Sequence, residues 1–92
     1  MEQTVSIVVE GLVQGVFFRQ TTKTKALEAG ITGEVKNRSD GSVHILATGT
    51  EEQIKQLVDW CQTGPEHAVV MQVHVEIIPV QKFNGFNIVK GR

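Results

Sequence analysis

Two places in this 92-residue chain carry side chains, at a spacing, suited to chemistry on an anion. The first is the run Val9-Glu10-Gly11-Leu12-Val13-Gln14-Gly15-Val16-Phe17-Phe18-Arg19, where a β-like stretch breaks at glycines and re-forms as a helix with an arginine in its first turn. Glycine admits positive φ and lets the main chain approach a ligand closely, and the first turn of a helix leaves N–H groups without intrahelical partners. Gly15, Val16, Phe17, Phe18 and Arg19 are therefore candidate phosphate-binding residues, with the Arg19 guanidinium offering a planar, bidentate fork to two oxygens. The second place is Asn37. Its amide both donates and accepts, so it can hold and polarise a water without competing for negative charge.

The elements that must position these residues are legible as periodicities. Val5, Ile7 and Val9 alternate with Thr4, Ser6 and Glu10, predicting a strand with one buried face that Gly11 and Gly15 end. Phe18, Thr22, Ala26 and Ala29 form one stripe of a helix from Phe18 to Ala29, with Gly30 as a left-handed stop. A second strand follows from Gly33 to Arg38. Ser39-Asp40-Gly41 turns it into a hairpin partner whose Val43, Ile45 and Ala47 face inward and whose Ser42, His44 and Thr48 face outward. Thr50 and Gln53 form a capping box for a second helix, with Glu51 and Glu52 at its positive end and Ile54, Leu57, Val58 and Cys61 on one side. That helix is expected to stop at Gly64-Pro65. Val69, Met71, Val73, Val75 and Ile77 then mark the inner face of a long strand to Ile78, and Phe86 to Val89 reads as a short edge strand.

The order predicts one α+β domain over residues 1–92, a ferredoxin-like split β-α-β sandwich. It is βαββαβ plus a short fifth strand, with two helices on one face of a mostly antiparallel sheet. In that topology the second strand returns parallel to the first, which brings Asn37 to the rim where the cradle lies. The fold names no function by itself, so the site residues must.

Composition narrows the choice. Nine basic and ten acidic residues leave a net charge of −1, which supplies no general attraction for nucleic acid or an anionic membrane, so any anion site must be local. The inner strands lack the exposed aromatics of an RNA-binding module, and a lone cysteine excludes a Cys-x-x-Cys copper loop. Cys61 falls among apolar residues, as a small core hydrophobe of a reduced, cytoplasmic protein would. His44, His67 and His74 have no metal-ligand spacing and are expected to be exposed. Trp60 and Phe18 are expected to pack in the core, while Thr21 and Thr22 could bond within their helix or line a pocket.

The glycine run also resembles the signature of the acylphosphatase family: hydrophobic, any, Gly, any, Val-Gln-Gly-Val, any, Phe, Arg. A second family signature is matched by Gly33-Glu34-Val35-Lys36-Asn37, three residues, Gly41-Ser42-Val43, five residues, Gly49. The resemblance covers nearly the whole chain. It implies a metal-independent hydrolase of small acyl phosphates, without cofactor, acting as a monomer and accepting inorganic phosphate or sulfate as site ligands. It implies that the loop from Gly15 to Arg19 binds the phosphate and that Asn37 orients the attacking water. A domain that keeps the cradle but has lost turnover is the competing reading. One position departs from the family pattern: Glu34 stands where an aromatic residue is usual. Beside the site it would remove an apolar wall and weaken anion binding, whereas at a solvent-facing sheet edge it would be an edge charge, which is the expectation here.

Overall fold

β-branched residues at alternate positions give β1 (Glu2–Leu12) an apolar face, and Val5, Ile7 and Val9 are indeed buried on it. The structure, a computed structural model describing residues 1–91, continues with α1 (Phe18–Ala29), β2 (Thr32–Asn37), β3 (Val43–Thr50), α2 (Glu51–Cys61), β4 (Val69–Ile78) and β5 (Phe86–Ile88). The strands form one sheet in the order β4-β1-β3-β2-β5. All neighbours are antiparallel except β2 and β5, which run parallel. Val5, Ile7 and Val9 stand opposite Ala47, Ile45 and Val43 in the register, and Ile45 stands opposite Val35. These residues share one face, where they are buried with Phe18 and Ala26 of α1 and Ile54, Leu57 and Cys61 of α2. The expected split β-α-β sandwich is the observed architecture.

Helix boundaries follow their signals. Gly30 caps α1 in the left-handed conformation, and the Thr50–Gln53 capping box opens α2. α2 ends three residues before Gly64, because Thr63 and Gly64 donate their N–H groups to the Trp60 carbonyl and close the helix there. Gly11 does not end β1 either: the strand crosses a bulge between Glu10 and Gly11 and goes on pairing with β4 as far as Leu12.

Three expectations about faces are corrected. Thr4 and Thr48 have the outward parity of their strands, yet both are buried. The connection from β4 to β5 spans from one sheet edge to the other, and Gln81 on it donates its N–H to Thr4 Oγ1 (2.9 Å) and accepts from Thr48 Oγ1 (2.8 Å). A strap of chain therefore lies over the helix-free face. β4 keeps its expected bounds but not its expected burial, since it is an outer strand: Val70 and Val73 pack half-buried against the core, while Met71, Val75 and Ile77 stay exposed. Glu34 is not on an edge strand, because β5 pairs outside β2. It has the opposite parity to Val35 and Asn37 and so belongs to the helix-free face.

Candidate active site at the β1–α1 turn

The loop between β1 and α1 is pinned by apolar side chains and turned outward between them. Val13 and Phe18 are buried, Val16 packs against the same core, and Phe18 meets Trp60 with ring centroids 5.2 Å apart. Between these anchors Gly15 takes φ 75°, a left-handed conformation that a side chain would strain. Phe17 is the only non-glycine residue with positive φ (64°) among the described residues. It is the N-cap of α1, offers no side-chain cap to the helix, and no acidic residue stands in the first turn. The contrast with the fully boxed start of α2 is direct. N–H groups at the start of α1 are thus left for an external acceptor, at the positive end of the helix dipole.

Thr21 and Thr22 spend their hydroxyls inside α1, donating to the Phe17 carbonyl at 2.8 Å and the Phe18 carbonyl at 2.7 Å. Arg19 is half-buried and takes part in no salt bridge among the described residues. A cation in the first turn opposes the dipole, so an arginine left unpaired there is suited to an incoming anion.

Asn37 ends β2 opposite Val43, the last register pair before the hairpin turn, on the helix side of the sheet. Its Oδ1 is buried and has no hydrogen-bond partner among the described residues. Such an acceptor costs about 1–3 kcal/mol if left unsatisfied, a cost met most simply by a bound water or ligand. The turn beyond Asn37 is held by Asp40, whose Oδ1 accepts from Ser42 N (2.9 Å) and Ser42 Oγ (2.6 Å). The Ser42 hydroxyl and N–H together keep the Asp40 carboxyl below the usual carboxylate range.

Gly15, Phe17, Phe18, Arg19 and Asn37 line one cavity of about 350 Å³, so five of the six residues expected at the site come together. Val16 is the sixth; its side chain belongs to the core, which leaves only its peptide for a ligand. Val13, Gln20 and Ile88 complete the wall. Ile88 had no signal in the sequence, because only the parallel pairing of β5 with β2 brings it next to Val35 and the cavity.

The remaining reactive groups lie elsewhere. Cys61 is buried in the core, and burial pushes its thiol up to about 12. His44, expected to be exposed, is half-buried and bonded to Ser6 Oγ at 2.8 Å. Burial, and then the charges of Arg38 and Lys36, hold His44 below its ordinary pKa. No three His, Cys, Asp or Glu side chains gather into a metal-holding group among the described residues, and no helix there is long and apolar enough to cross a membrane.

A split β-α-β sheet with an open helix start, and with an arginine and an Asn37 Oδ1 that have no partner among the described residues at one rim, defines a small α+β domain with a candidate anion site. The acylphosphatase family model matches residues 5–88. An acylphosphatase of Marinobacter nauticus is 47% identical over 81 residues, which is 87% of this chain and 88% of that one. The solved acylphosphatase of Coxiella burnetii superimposes with a TM-score of 0.93 at 40% identity, covering 96% of this chain and 93% of the other. That of Bacillus subtilis gives 0.91 at 34% identity, covering 97% and 99%. The chain belongs to the acylphosphatase family.

Proposed function

We propose that this protein hydrolyses the carboxyl–phosphate bond of small acyl phosphates, releasing a carboxylate and inorganic phosphate. The observation that carries the reading is the meeting of an unpaired Arg19, the uncapped start of α1 and the unsatisfied Asn37 around one cavity. In this reading the phosphate sits in the loop from Gly15 to Arg19, held by main-chain N–H groups and the Arg19 guanidinium. Asn37 accepts a hydrogen bond from the attacking water through Oδ1 and so orients it. The water oxygen bonds to phosphorus as the phosphorus–oxygen bond to the acyl group breaks, and the carboxylate leaves with the electron pair. The water's proton passes to a phosphate oxygen of the substrate itself, so no side chain is assigned as general base.

These parts suffice because the leaving group is already good. The transition state is loose and spreads charge over the peripheral oxygens, so positioning and fixed positive charge supply most of the acceleration. One preorganised donor at a developing oxyanion is worth about 2.7–4 kcal/mol. The reading assigns no metal and no cofactor, and takes the domain as monomeric and cytoplasmic, with its one cysteine a buried thiol as suits a reducing compartment.

The test is a spectrophotometric assay with benzoyl phosphate in the presence of a chelator. Turnover is expected, with competitive inhibition by inorganic phosphate or sulfate. Arg19→Ala should lower kcat/KM by roughly 100-fold or more through both binding and rate, while Asn37→Ala should act mainly on kcat. No turnover with phosphate binding retained would leave a non-catalytic anion-binding domain; turnover only on adding metal would remove the mechanism.

A further inference from the structure

Gln14 lies inside the first signature run, yet the mechanism above gives it nothing to do. Its side chain is exposed, but Nε2 donates to the Arg38 carbonyl at 2.8 Å and to the Ser42 carbonyl at 2.9 Å. A primary amide has two N–H protons, so both are committed. Those carbonyls belong to the turn that follows Asn37, where Arg38 N donates to Ser42 O (2.9 Å) and Gly41 N to Arg38 O (3.1 Å). Gln14 is therefore a strut. One end is the residue before Gly15, and the other grips the turn that starts one residue after Asn37.

The sheet does not set this distance directly, because β3 separates β1 from β2. Nor does the Asn37 side chain anchor itself, since its Oδ1 has no partner among the described residues. Asn37 is placed by its main chain, which is held at the Val43 pair on one side and by the turn on the other. We infer that Gln14 is a positioning residue, setting the distance between the phosphate cradle and the asparagine that orients the water. The inference rests on the roles proposed above for the cradle and Asn37. A shift of about 1 Å between reacting groups can cost on the order of 100-fold in rate, although the strut itself touches no reacting atom.

The test is a double-mutant cycle of Gln14→Met with Asn37→Ala, read in kcat for benzoyl phosphate, the inhibition constant of inorganic phosphate and the melting temperature. Gln14→Met keeps the side-chain length and removes both donors at an exposed position, so the fold should survive; Gln14→Leu, equally uncharged, is the second variant if it does not. Either variant should lower kcat roughly 10- to 100-fold while the phosphate inhibition constant moves less than about threefold. On the Asn37→Ala background the same change should cost less than about twofold, because the group it positions is gone. A merely structural role would lower kcat equally on both backgrounds, and that result overturns the inference. So does an unchanged kcat, or a loss of phosphate affinity in step with kcat, which would make Gln14 a support of the cradle alone. If instead the wild type fails to turn over, or Asn37→Ala is as fast as wild type, the proposed site roles fail with Gln14 intact.

Discussion

Phe17 sits at φ 64° with 78% of its surface exposed, two conditions that folding alone does not favour. A side chain in the left-handed region costs about 1–2 kcal/mol, and an exposed phenylalanine recovers none of that by burial. Strain of this kind persists where the surroundings over-determine it, and here Val16 and Phe18 are pinned to the core on either side. Phe17 borders the cavity with Ile88, an apolar surface that under the proposed function would receive the acyl end of a substrate. Phe17→Gly should leave unfolding free energy within about 1 kcal/mol of wild type, the relief of strain offsetting the entropy of the added glycine. Loss of the aromatic contact should raise KM for benzoyl phosphate roughly 3- to 10-fold, with a smaller effect on acetyl phosphate. Steady-state kinetics with the two substrates checks this, and an equal change in both would show that Phe17 serves the loop rather than the acyl group.

At the scale of elements, local chemistry was written plainly in the chain and cover was not. Phe18, Thr22, Ala26 and Ala29 read as one stripe, of which the first three are buried and Ala29 is half-buried, and the Thr50–Gln53 box opens α2 where its residues say it should. The meeting of Asn37 with Gly15 and Arg19 followed from strand order alone, and both signature runs mark their members. Alternation cannot say whether a strand is central or outer, so Met71, Val75 and Ile77 read as core although β4 has no strand on its far side. It also cannot foresee a strap crossing the open face, which is why Thr4 and Thr48 read as solvent-facing. Their hydroxyls lie 2.7 Å apart, and because Thr48 gives its proton to the Gln81 carbonyl, Thr4 gives its own to Thr48. Thr4→Val keeps the shape but leaves the Gln81 N–H without its acceptor in a part-buried place. We expect it to lower stability by about 1–3 kcal/mol in urea denaturation while kcat stays near wild type. A change below experimental error would mean the strap re-forms its bonds to water.

At the scale of the whole molecule, a net charge of −1 gives no long-range pull on anions, so the proposed phosphate binding has to come from the few groups around the cavity. Those groups come from three elements distant in sequence: the β1–α1 turn, the end of β2 and Ile88 of β5. A ligand bridging them binds only the folded chain, and binding of that kind adds stability by mass action. At a phosphate concentration a hundred times Kd the gain is about 2.7 kcal/mol. In a domain of this size each kcal/mol moves the melting temperature by about 4–8 °C, so the rise should be on the order of 10–20 °C. Thermal melts in phosphate against chloride at matched ionic strength measure it, since general screening acts in both. Arg19→Ala should abolish the phosphate-specific rise, and Asn37→Ala, which is assigned to water rather than phosphate, should keep most of it. Equal melting temperatures in the two salts for the wild-type chain would show that the open start of α1 and the unpaired Arg19 do not together hold a phosphate.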